Sequence, residues 1–416
     1  MTSRRDVLKT GALGVAAGAA PMGLASPLAA TAGTGASIFI PPPISNEERW
    51  ARIRAAQGLM QSHGLSGIVI EAGTSMLYFS GLGWGRGSRL TALVIPADSD
   101  PIVITPAFEA SKLAELMVMP MQVRTWEEHE SPTALIAGVF AESGNEGAIG
   151  LERTVRHFVT EGLKKDGGGR DVVSATPIVS TLRQIKSPRE IALMQAANDI
   201  TMAAYREIYP QVSPGMVGND IGQMMREATL KLGGRPTFSS AQVGEASAYP
   251  HGSKKVWEVG EGEVILMDCG CDVHGYKSDI SRTWVHGEAN AEQRRVWDTV
   301  RKGQDIVMEM AQIGSTFSAV DGAARSFYES QGFGPDYKTP GLSHRTGHGI
   351  GMDIHEDQFV VRGNVSPIAA GMCFSNEPGI YLPGKFGVRL EDCVYMAAEG
   401  PKLFTSRAPS IDNPMG

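Results

Sequence analysis

The stretch VILMDCGCDVHGYKSDISRT, residues 264–283, decides the fold of the second half of this 416-residue chain. It lies within two apolar runs, at about 263–269 and 276–286, with a glycine in the turn between them. Two such runs around a short turn predict a β-hairpin. Asp268 lies at the end of the first run, and Asp279 lies eleven residues later on the returning run. Because a charged group on a buried strand is costly unless it is paired or binds a metal, the hairpin predicts a site as well as a sheet.

Three further polar residues interrupt apolar surroundings downstream of the hairpin: His348, Glu377 and Glu391. The two glutamates lie in predicted strands at about 372–381 and 388–396, with no helix between them, which predicts an antiparallel sheet. Four carboxylates on elements of one sheet repel each other unless cations lie among them. The hairpin and these three residues together therefore predict a metal site.

The donor types indicate which ions to expect. Four carboxylates and one imidazole form a mostly oxygen donor set, which suits Mn²⁺, Fe²⁺, Co²⁺ or Zn²⁺ better than copper or an iron–sulfur cluster. Because carboxylates can bridge, five side chains can hold two ions roughly 3.5–4 Å apart. We therefore expect two divalent metal ions, manganese first, with cobalt, zinc or iron as alternatives. The four cysteines form no zinc-type pair, so we expect small buried thiols rather than a disulfide framework.

Helix-start signals divide the chain near residues 181–188. The sequence Ser187-Pro188-Arg189-Glu190 combines an N-cap, a first-turn proline and a capping-box glutamate, and it predicts a helix that runs to about Tyr209. Further helices are predicted at 219–232, 290–312 and 319–331. Helices around an antiparallel sheet predict an α+β second domain, residues 184–416, with the helices packed on one face.

The first half of the chain alternates between helical and strand patterns. The predicted helices are at about 46–63 and 108–118, and the predicted strands are at 67–70, 93–96 and 101–104. Asn46 is the predicted cap of the first helix. The alternation predicts a smaller α/β domain at 46–183.

The N-terminal segment has the composition of an export signal. Arg4-Arg5 precedes an Ala/Gly-rich run, and Ala30-Thr31-Ala32 offers a cleavage site between small residues. These features predict a twin-arginine signal peptide at 1–32 and a flexible lead-in at 33–45, and hence a periplasmic or secreted protein.

Charge and hydropathy exclude two classes of partner. The net charge is −7 and no run is rich in lysine and arginine, so we do not expect a nucleic-acid partner. Beyond the N-terminal segment no stretch is long and apolar enough to cross a bilayer, so no membrane association is expected after signal removal.

The second half, from about Leu182 to Ala398, resembles the pita-bread metallopeptidase family, which includes Xaa-Pro aminopeptidases, prolidases and methionine aminopeptidases. The matching stretches are Met267-Asp268-Cys269-Gly270, Ser278-Asp279-Ile280-Ser281-Arg282-Thr283, His344-Arg345-Thr346-Gly347-His348-Gly349-Ile350-Gly351, Glu377-Pro378-Gly379 and Val388-Arg389-Leu390-Glu391-Asp392. The first domain is similar to the smaller N-terminal domain of the creatinase-like, two-domain members. The resemblance implies a curved antiparallel sheet in the catalytic domain.

The resemblance also implies a role for each ligand. Asp279 and Glu391 would bridge both metal ions, Asp268 would bind one ion, and His348 with Glu377 would bind the other. A metal-bridging hydroxide would attack the scissile carbonyl carbon, and Glu377 would carry the proton to the leaving nitrogen.

Three more histidines and one arginine complete the candidate site. In the proline-directed members of the family, histidines like His251, His344 and His355 line the pocket and donate hydrogen bonds to the carbonyl group or the intermediate. Arg389 lies two residues before Glu391, so both side chains lie on one face of a strand. It would orient carboxylates or bind a substrate carboxylate.

The function implied by the resemblance is that of a dinuclear metallopeptidase that hydrolyses the bond between an N-terminal residue and proline, as an Xaa-Pro aminopeptidase or dipeptidase. A proline peptide bond lacks an N–H and has a restricted φ, so it needs a dedicated pocket. A non-peptide amidohydrolase on the same fold remains an alternative, and a catalytically silent binding module is disfavoured by the intact ligand set. The expected partners are a peptide or small amide substrate and, as is usual in the family, a second copy of the chain in a homodimer.

Overall fold

The computed structural model describes residues 38–416, and the first part of this range is an α/β unit. Its helices are α1 (Asn46–Ser62), α2 (Thr74–Ser80), α3 (Ala110–Leu116), α4 (Pro132–Ser143), α5 (His157–Asp166) and α6 (Thr176–Gln184). Its strands are β1 (Leu65–Glu71), β2 (Ala92–Pro96), β3 (Ile102–Pro106), β4 (Gln122–Trp126), β5 (Ala148–Leu151) and β6 (Val172–Ser174). They form one mixed sheet in the order β4-β3-β2-β1-β5-β6. The predicted α/β character is confirmed.

The central strands of this sheet have apolar side chains on both faces. Along β1, Ile68 and Ile70 enter one apolar core while Val69 enters another on the opposite side. Successive side chains of a strand point to opposite faces, so a continuous run of β-branched residues suits a sheet that is covered on both sides.

The second part of the described range is richer in antiparallel pairing. Its helices are α7 (Pro188–Ile208), α8 (Gly218–Lys231), α9 (Ala291–Met310) and α10 (Phe317–Ser330). Its strands are β7 (Arg235–Val243), β8 (Val264–Val273), β9 (Tyr276–Lys277), β10 (Ile280–Val285), β11 (Gly347–Gly349), β12 (Glu356–Val360), β13 (Cys373–Asn376), β14 (Gly379–Leu382), β15 (Phe386–Arg389), β16 (Asp392–Ala397) and β17 (Gly400–Leu403). The predicted α+β character is likewise confirmed.

These strands form two antiparallel sheets and a two-stranded ribbon. One sheet has the order β10-β8-β7, with β9 paired to β8, and the other has the order β12-β11-β13-β16-β17. The ribbon consists of β14 and β15. The predicted hairpin is present: β10 pairs antiparallel with β8 from Ile280↔Cys269 to Val285↔Val264. Gly275 has a φ of 96° in its turn, a conformation that favours glycine.

The helix starts follow side-chain capping. Ser187 and Glu190 form the predicted capping box at α7, and Asn290 forms one with Gln293 at α9. The predicted cap at α1 is wrong by one residue. Ser45 is the N-cap and its hydroxyl accepts the N–H of Glu48, because the capping side chain must reach the backbone three residues onward.

A shared apolar core joins the two parts of the chain. Ile53 of α1 and Ile68 of β1 belong to the same buried cluster as Leu193 of α7 and Ile350, which follows β11. The predicted lead-in at 33–45 falls partly outside the described residues, but Ile44 at its end is buried in this cluster. All four cysteines are buried and unpaired with one another, as expected.

Candidate metal centre

Two candidate ligands lie where neighbouring chain segments change from one sheet to another. β13 pairs with β16 and β14 pairs with β15, so the strands predicted at 372–381 and 388–396 are each broken in two. Glu377 and Glu391 lie in these two breaks. Pro378 lacks the N–H that a continuous ladder would need, which explains why the pairing stops there. The interruption removes both carboxylates from regular pairing and lets their side chains point to a common space.

The hairpin and the strand β11 supply the other three candidates. Asp268 lies within β8 and pairs through its backbone with Ser281 of β10. Asp279 lies just before β10 and is buried. His348 lies in β11, where its backbone N–H donates to Ser375 Oγ at 3.0 Å. Each residue therefore lies in a strand or directly beside one rather than in a long loop.

A cavity of about 570 Å³ collects these side chains. Its wall contains all nine residues that the sequence predicts for the site: Asp268, Asp279, His348, Glu377, Glu391, His251, His344, His355 and Arg389. The remaining residues of the wall are Phe238, Pro250, Arg345 and Ile354. Residues more than a hundred positions apart in the chain thus face one space.

Three of the five candidate ligands form a compact group of donors. A carboxylate oxygen of Asp279, a carboxylate oxygen of Glu391 and a ring nitrogen of His348 all lie within 4.8 Å of one another. His348 Nε2 also lies 3.3 Å from Glu377 Oε1. Asp268 lies farther out in the same cavity and is partly exposed.

The protonation state of His348 suits metal binding. Burial lowers the pKa of His348 to about 4, so its ring is neutral at neutral pH although two carboxylates lie nearby. Its Nδ1 lies 3.1 Å from the Gly349 carbonyl oxygen, which only accepts, so Nδ1 carries the proton and Nε2 presents a lone pair to the carboxylates. This contact is unfavourable unless a cation lies between them. A neutral imidazole is also the form that a divalent ion binds.

Glu391 and Asp279, the two most buried carboxylates of the cavity, are only partly compensated by Arg389, whose Nε lies 3.7 Å from Glu391 Oε2. Burial and the surrounding carboxylates raise the pKa of Asp279 and of Glu391 well above the ordinary range. Glu391 Oε1 is buried and has no hydrogen-bond partner among residues 38–416. The Ser281 hydroxyl lies 2.7 Å from Glu391 Oε2 and 3.0 Å from Asp268 Oδ1, but it has one proton to donate. The donor set therefore fits divalent cations better than it fits protein atoms alone.

All three side-chain nitrogens of Arg389 donate to protein groups. Its Nη2 donates to Asp268 Oδ2 at 2.6 Å, and its Nε donates to Ser281 Oγ at 2.9 Å. Its Nη1 donates to the Pro250 carbonyl and to the Tyr381 hydroxyl, each at 3.2 Å. This geometry supports the carboxylate-orienting role rather than binding of a substrate carboxylate.

Tyr381 is a site residue that the sequence interpretation missed. Its hydroxyl accepts from Arg389 and lies 2.8 Å from His344 Nε2. Because His344 Nδ1 donates to the Arg345 carbonyl at 2.7 Å, Nε2 accepts the tyrosine proton. A signal was available in the sequence: on the continuous strand predicted at 372–381, Glu377 and Tyr381 are four residues apart, a spacing that would place both on one face.

The other two predicted histidines remain available to a substrate. The ring of His355 lies 4.2 Å from that of His348, centroid to centroid; the residue is exposed, and partial desolvation lowers its pKa below the ordinary range. His251 lies in an exposed turn at the cavity edge. Arg345, which the sequence interpretation also missed, lines the cavity with its guanidinium 4.2 Å from the centre of the Phe359 ring.

Known proteins match this chain along almost the whole described range. Residues 192–398 match the model of metallopeptidase family M24, and residues 52–185 match the creatinase/prolidase N-terminal domain. An uncharacterized peptidase of Schizosaccharomyces pombe is 31% identical over 91% of this chain and 87% of its own length. The Xaa-Pro dipeptidase of Lactobacillus helveticus is 31% identical over 79% of this chain and 89% of its own length. The crystal structure of dipeptidase PepE from Mycobacterium ulcerans superposes with a TM-score of 0.81 at 28% identity, over 88% of this chain and 98% of that protein.

The comparisons correct the predicted location. The relatives include prolidases, which are typically cytosolic, so the prediction of twin-arginine export to the periplasm or the exterior is wrong. Paired arginines before an Ala/Gly-rich run are a feature of composition, and composition alone does not establish a targeting segment. The supposed signal at 1–32 lies outside the described residues. Within 38–416, none of the helices combines the length and apolar character of a membrane span.

The fold, the donor cluster and the comparisons lead to one assignment. The two family models match in the same order as the two structural parts, and a peptidase 31% identical aligns over most of its length. Membership implies an enzyme that uses divalent metal ions, consistent with the donors around His348. The chain therefore belongs to metallopeptidase family M24 and has the two-domain pita-bread fold of the prolidases.

Proposed function

We propose that this chain is an Xaa-Pro peptidase that hydrolyses the amide bond preceding a proline. The observation that carries the proposal is the convergence of five candidate metal ligands and three further histidines on one cavity. The chain that builds this cavity also aligns with an Xaa-Pro dipeptidase over 89% of that protein's length.

Two divalent ions, manganese first, are the proposed cofactors. Asp268, Asp279, His348, Glu377 and Glu391 would hold them, since these residues supply the oxygen and imidazole donors of the cavity. When bound, such ions would lower the pKa of a water molecule and stabilise negative charge on the scissile carbonyl oxygen.

Glu377 is the proposed group for proton transfer to the leaving nitrogen. Its Oε1 lies 3.3 Å from His348 Nε2 and accepts the Ser375 hydroxyl at 3.3 Å, while its side chain is 12% exposed. It therefore lies beside the ligand cluster and still contacts the open part of the cavity. A carboxylate in that position can accept a proton and deliver it to a substrate atom.

The remaining cavity residues would position the substrate and the ligands. Arg389 and Tyr381 hold Asp268 and His344 in a chain of hydrogen bonds. His355, whose ring faces the cavity beside His348, would donate to the substrate carbonyl. The apolar side chains of Phe238 and Ile354 offer contacts for a proline ring, which has no N–H to satisfy.

The test is a metal-dependent peptidase assay. Protein stripped with a chelator and reloaded separately with Mn²⁺, Co²⁺, Zn²⁺ or Fe²⁺ would be incubated with Xaa-Pro dipeptides, Xaa-Pro tripeptides and matched Xaa-Ala peptides. We expect turnover of Xaa-Pro substrates only, and none by the folded Glu377→Gln variant. Absence of Xaa-Pro turnover with every metal would refute the proposal. The same panel decides between dipeptidase and aminopeptidase activity, and sedimentation of the enzyme tests the expected homodimer.

A further inference from the structure

His355 has no side-chain contact that fixes its ring on the cavity wall. The centre of its ring lies 4.2 Å from that of His348 with the two planes tilted by 48°, but within residues 38–416 neither of its nitrogens has a hydrogen-bond partner. The position of His355 therefore depends on the backbone of the turn formed by residues 351–356, which we call the His355 turn. Whatever holds this turn determines where the imidazole meets a substrate.

The buried carboxylate of Glu356 stabilises the turn by accepting hydrogen bonds from its backbone. Glu356 Oε1 accepts the backbone N–H of Met352 at 2.9 Å and that of Asp353 at 3.2 Å. Gly351 leaves the space for this contact, because a Cβ there would lie 2.8 Å from both carboxylate oxygens and 2.8 Å from Lys186 Cε. The glycine is needed for its small size, and the turn closes around a buried negative charge.

Two cations from outside the catalytic sheets neutralise that charge. Arg183, near the end of α6, donates to Glu356 Oε1 at 2.6 Å and to Asp353 Oδ2 at 2.8 Å. Lys186, in the link between α6 and α7, donates to Glu356 Oε2 at 2.8 Å. Arg183 is 11% exposed, Lys186 3% and Glu356 8%, so the two pairs that Glu356 makes are shielded from solvent, whereas Asp353 is 42% exposed. The two acids lie on either side of His355 in the sequence.

The first domain reinforces the same contact. Thr74, the first residue of α2, donates through Oγ1 to Asp353 Oδ1 at 2.6 Å. Arg183 Nη1 donates to the hydroxyl of Ser75 at 3.0 Å. Arg183 is thus the residue that connects α2, α6 and both acids of the His355 turn, although it does not itself line the cavity.

We propose that Arg183 is a positioning residue for catalysis: by holding Asp353 and Glu356 from the first domain, it fixes the turn that presents His355 to the substrate. The inference rests on the proposed peptidase function. The segment that joins the two domains then has a role in the reaction as well as a connecting one. Because Arg183 acts through His355, its contribution to turnover must disappear when the imidazole is absent.

A double-mutant cycle tests this dependence. Arg183→Met, His355→Ala and the double variant would be compared for kcat and KM on the best Xaa-Pro substrate. A misplacement of about 1 Å caused by a mutation far from the chemistry can cost about 100-fold, so we expect the partial release of the turn in Arg183→Met to lower kcat by about 10-fold with little change in KM. In the His355→Ala background the same substitution should change kcat less than about 2-fold. Equal losses in the two backgrounds would overturn the proposal.

Arg52 offers a matched control. Its side chain is also 11% exposed, and it also joins the two parts of the chain, through Glu190 at 3.0 Å and the Tyr276 hydroxyl at 2.9 Å. It does not touch the His355 turn. Arg52→Met should therefore keep the wild-type kcat, and a loss equal to that of Arg183→Met would show that general loosening between the domains explains both. If Arg183→Met does not fold, Arg183→Lys replaces it, with a smaller expected loss because lysine cannot reach both acids at once.

Hydrogen–deuterium exchange supplies a readout that needs no turnover. The amides of Met352 and Asp353 donate to Glu356, so Arg183→Met should speed exchange in peptides covering 351–357, while Arg52→Met should not. Unchanged exchange in this segment would overturn the positioning role even in an active enzyme. Faster exchange in a protein without Xaa-Pro turnover would instead refute the proposed function and leave the anchoring of the turn intact.

Discussion

Replacing Arg282 with methionine should destabilise the protein through a buried charge that loses its partner. Arg282 lies next to Ser281 in β10, and its side chain is fully buried against Asp392, which is 1% exposed. Its Nη2 donates to Asp392 Oδ1 at 2.7 Å, and its Nη1 donates to the Glu391 carbonyl at 2.8 Å. The pair therefore lies directly behind a candidate metal ligand, where solvent cannot screen it.

The size of the effect follows from what remains around Asp392. Breaking a buried ion pair by removing one partner costs about 3–5 kcal/mol. Asp392 keeps two donors, Gln304 Nε2 at 3.1 Å and Thr405 Oγ1 at 2.5 Å, so we expect the lower end, about 3 kcal/mol. The double variant Arg282→Met/Asp392→Asn removes the orphaned charge and should lose only about 1–2 kcal/mol, as for neutral hydrogen bonds.

The assay is urea denaturation of the metal-free protein, followed by tryptophan fluorescence, with the shift in midpoint converted at constant m. The exposed pair Arg294–Asp412 provides the control, and Arg294→Met should leave the midpoint unchanged. A loss below about 1 kcal/mol for Arg282→Met, or a double variant less stable than the single one, would refute the reasoning from buried charge.

Three further perturbations address the metal, the hydrogen-bond chain and the pH response. His348→Ala should bind fewer equivalents of Mn²⁺ than wild type in a calorimetric titration, and an unchanged stoichiometry would remove His348 from the ligand set. Tyr381→Phe breaks the link between Arg389 and His344 and should lower kcat about 10–100-fold while the variant stays folded; wild-type kinetics would show that the link is dispensable. Burial opposes ionisation of Glu356, but Lys186 and Arg183 outweigh it and lower its pKa from 4.5 to about 2. The ionised carboxylate of Glu356 therefore contributes about 3 kcal/mol to the free energy of unfolding above pH 4.5, and this contribution is lost as the pH falls toward 2. Glu356→Gln should be less stable than wild type at pH 6, and its urea midpoint should fall less steeply with acid. Parallel declines of the two midpoints would contradict the lowered pKa of Glu356.

Much of the fold could be predicted because local patterns and tertiary contacts agree. The hairpin around Asp268, the capping boxes at Ser187 and Asn290 and the α/β pattern of the first half each depend on residues close in sequence. The cap of α1 lies one residue before the predicted Asn46, since Ser45 and Asn46 are both good capping residues and only the hydrogen bond from the Glu48 N–H distinguishes them. The continuous strands predicted through Glu377 and Glu391 break in the structure, because pairing partners on other segments decide where a strand changes sheets.

The candidate site was predictable as a set of residues but not as an arrangement. Carboxylates and a histidine on apolar strands can be recognised in the sequence, because each is a polar residue that interrupts a run of apolar ones. Tyr381, Arg345 and Arg183 do not interrupt any local pattern, and their roles follow only from contacts with residues far away in the sequence. Arg389 shows the same limit: the sequence left two roles open, and its contacts to Asp268, Ser281 and Tyr381 favour one.

Residue type and spacing alone determined which side chains can carry metal chemistry, because the chemistry of a carboxylate or an imidazole belongs to the residue. Only the folded chain decided that they share one cavity, which protonation form His348 takes, and that a link between domains holds the His355 turn. These properties depend on burial and on distances of 3 to 5 Å between groups remote in sequence. Desolvation and charge pairing act across space, so they exist only after the strands have been brought together.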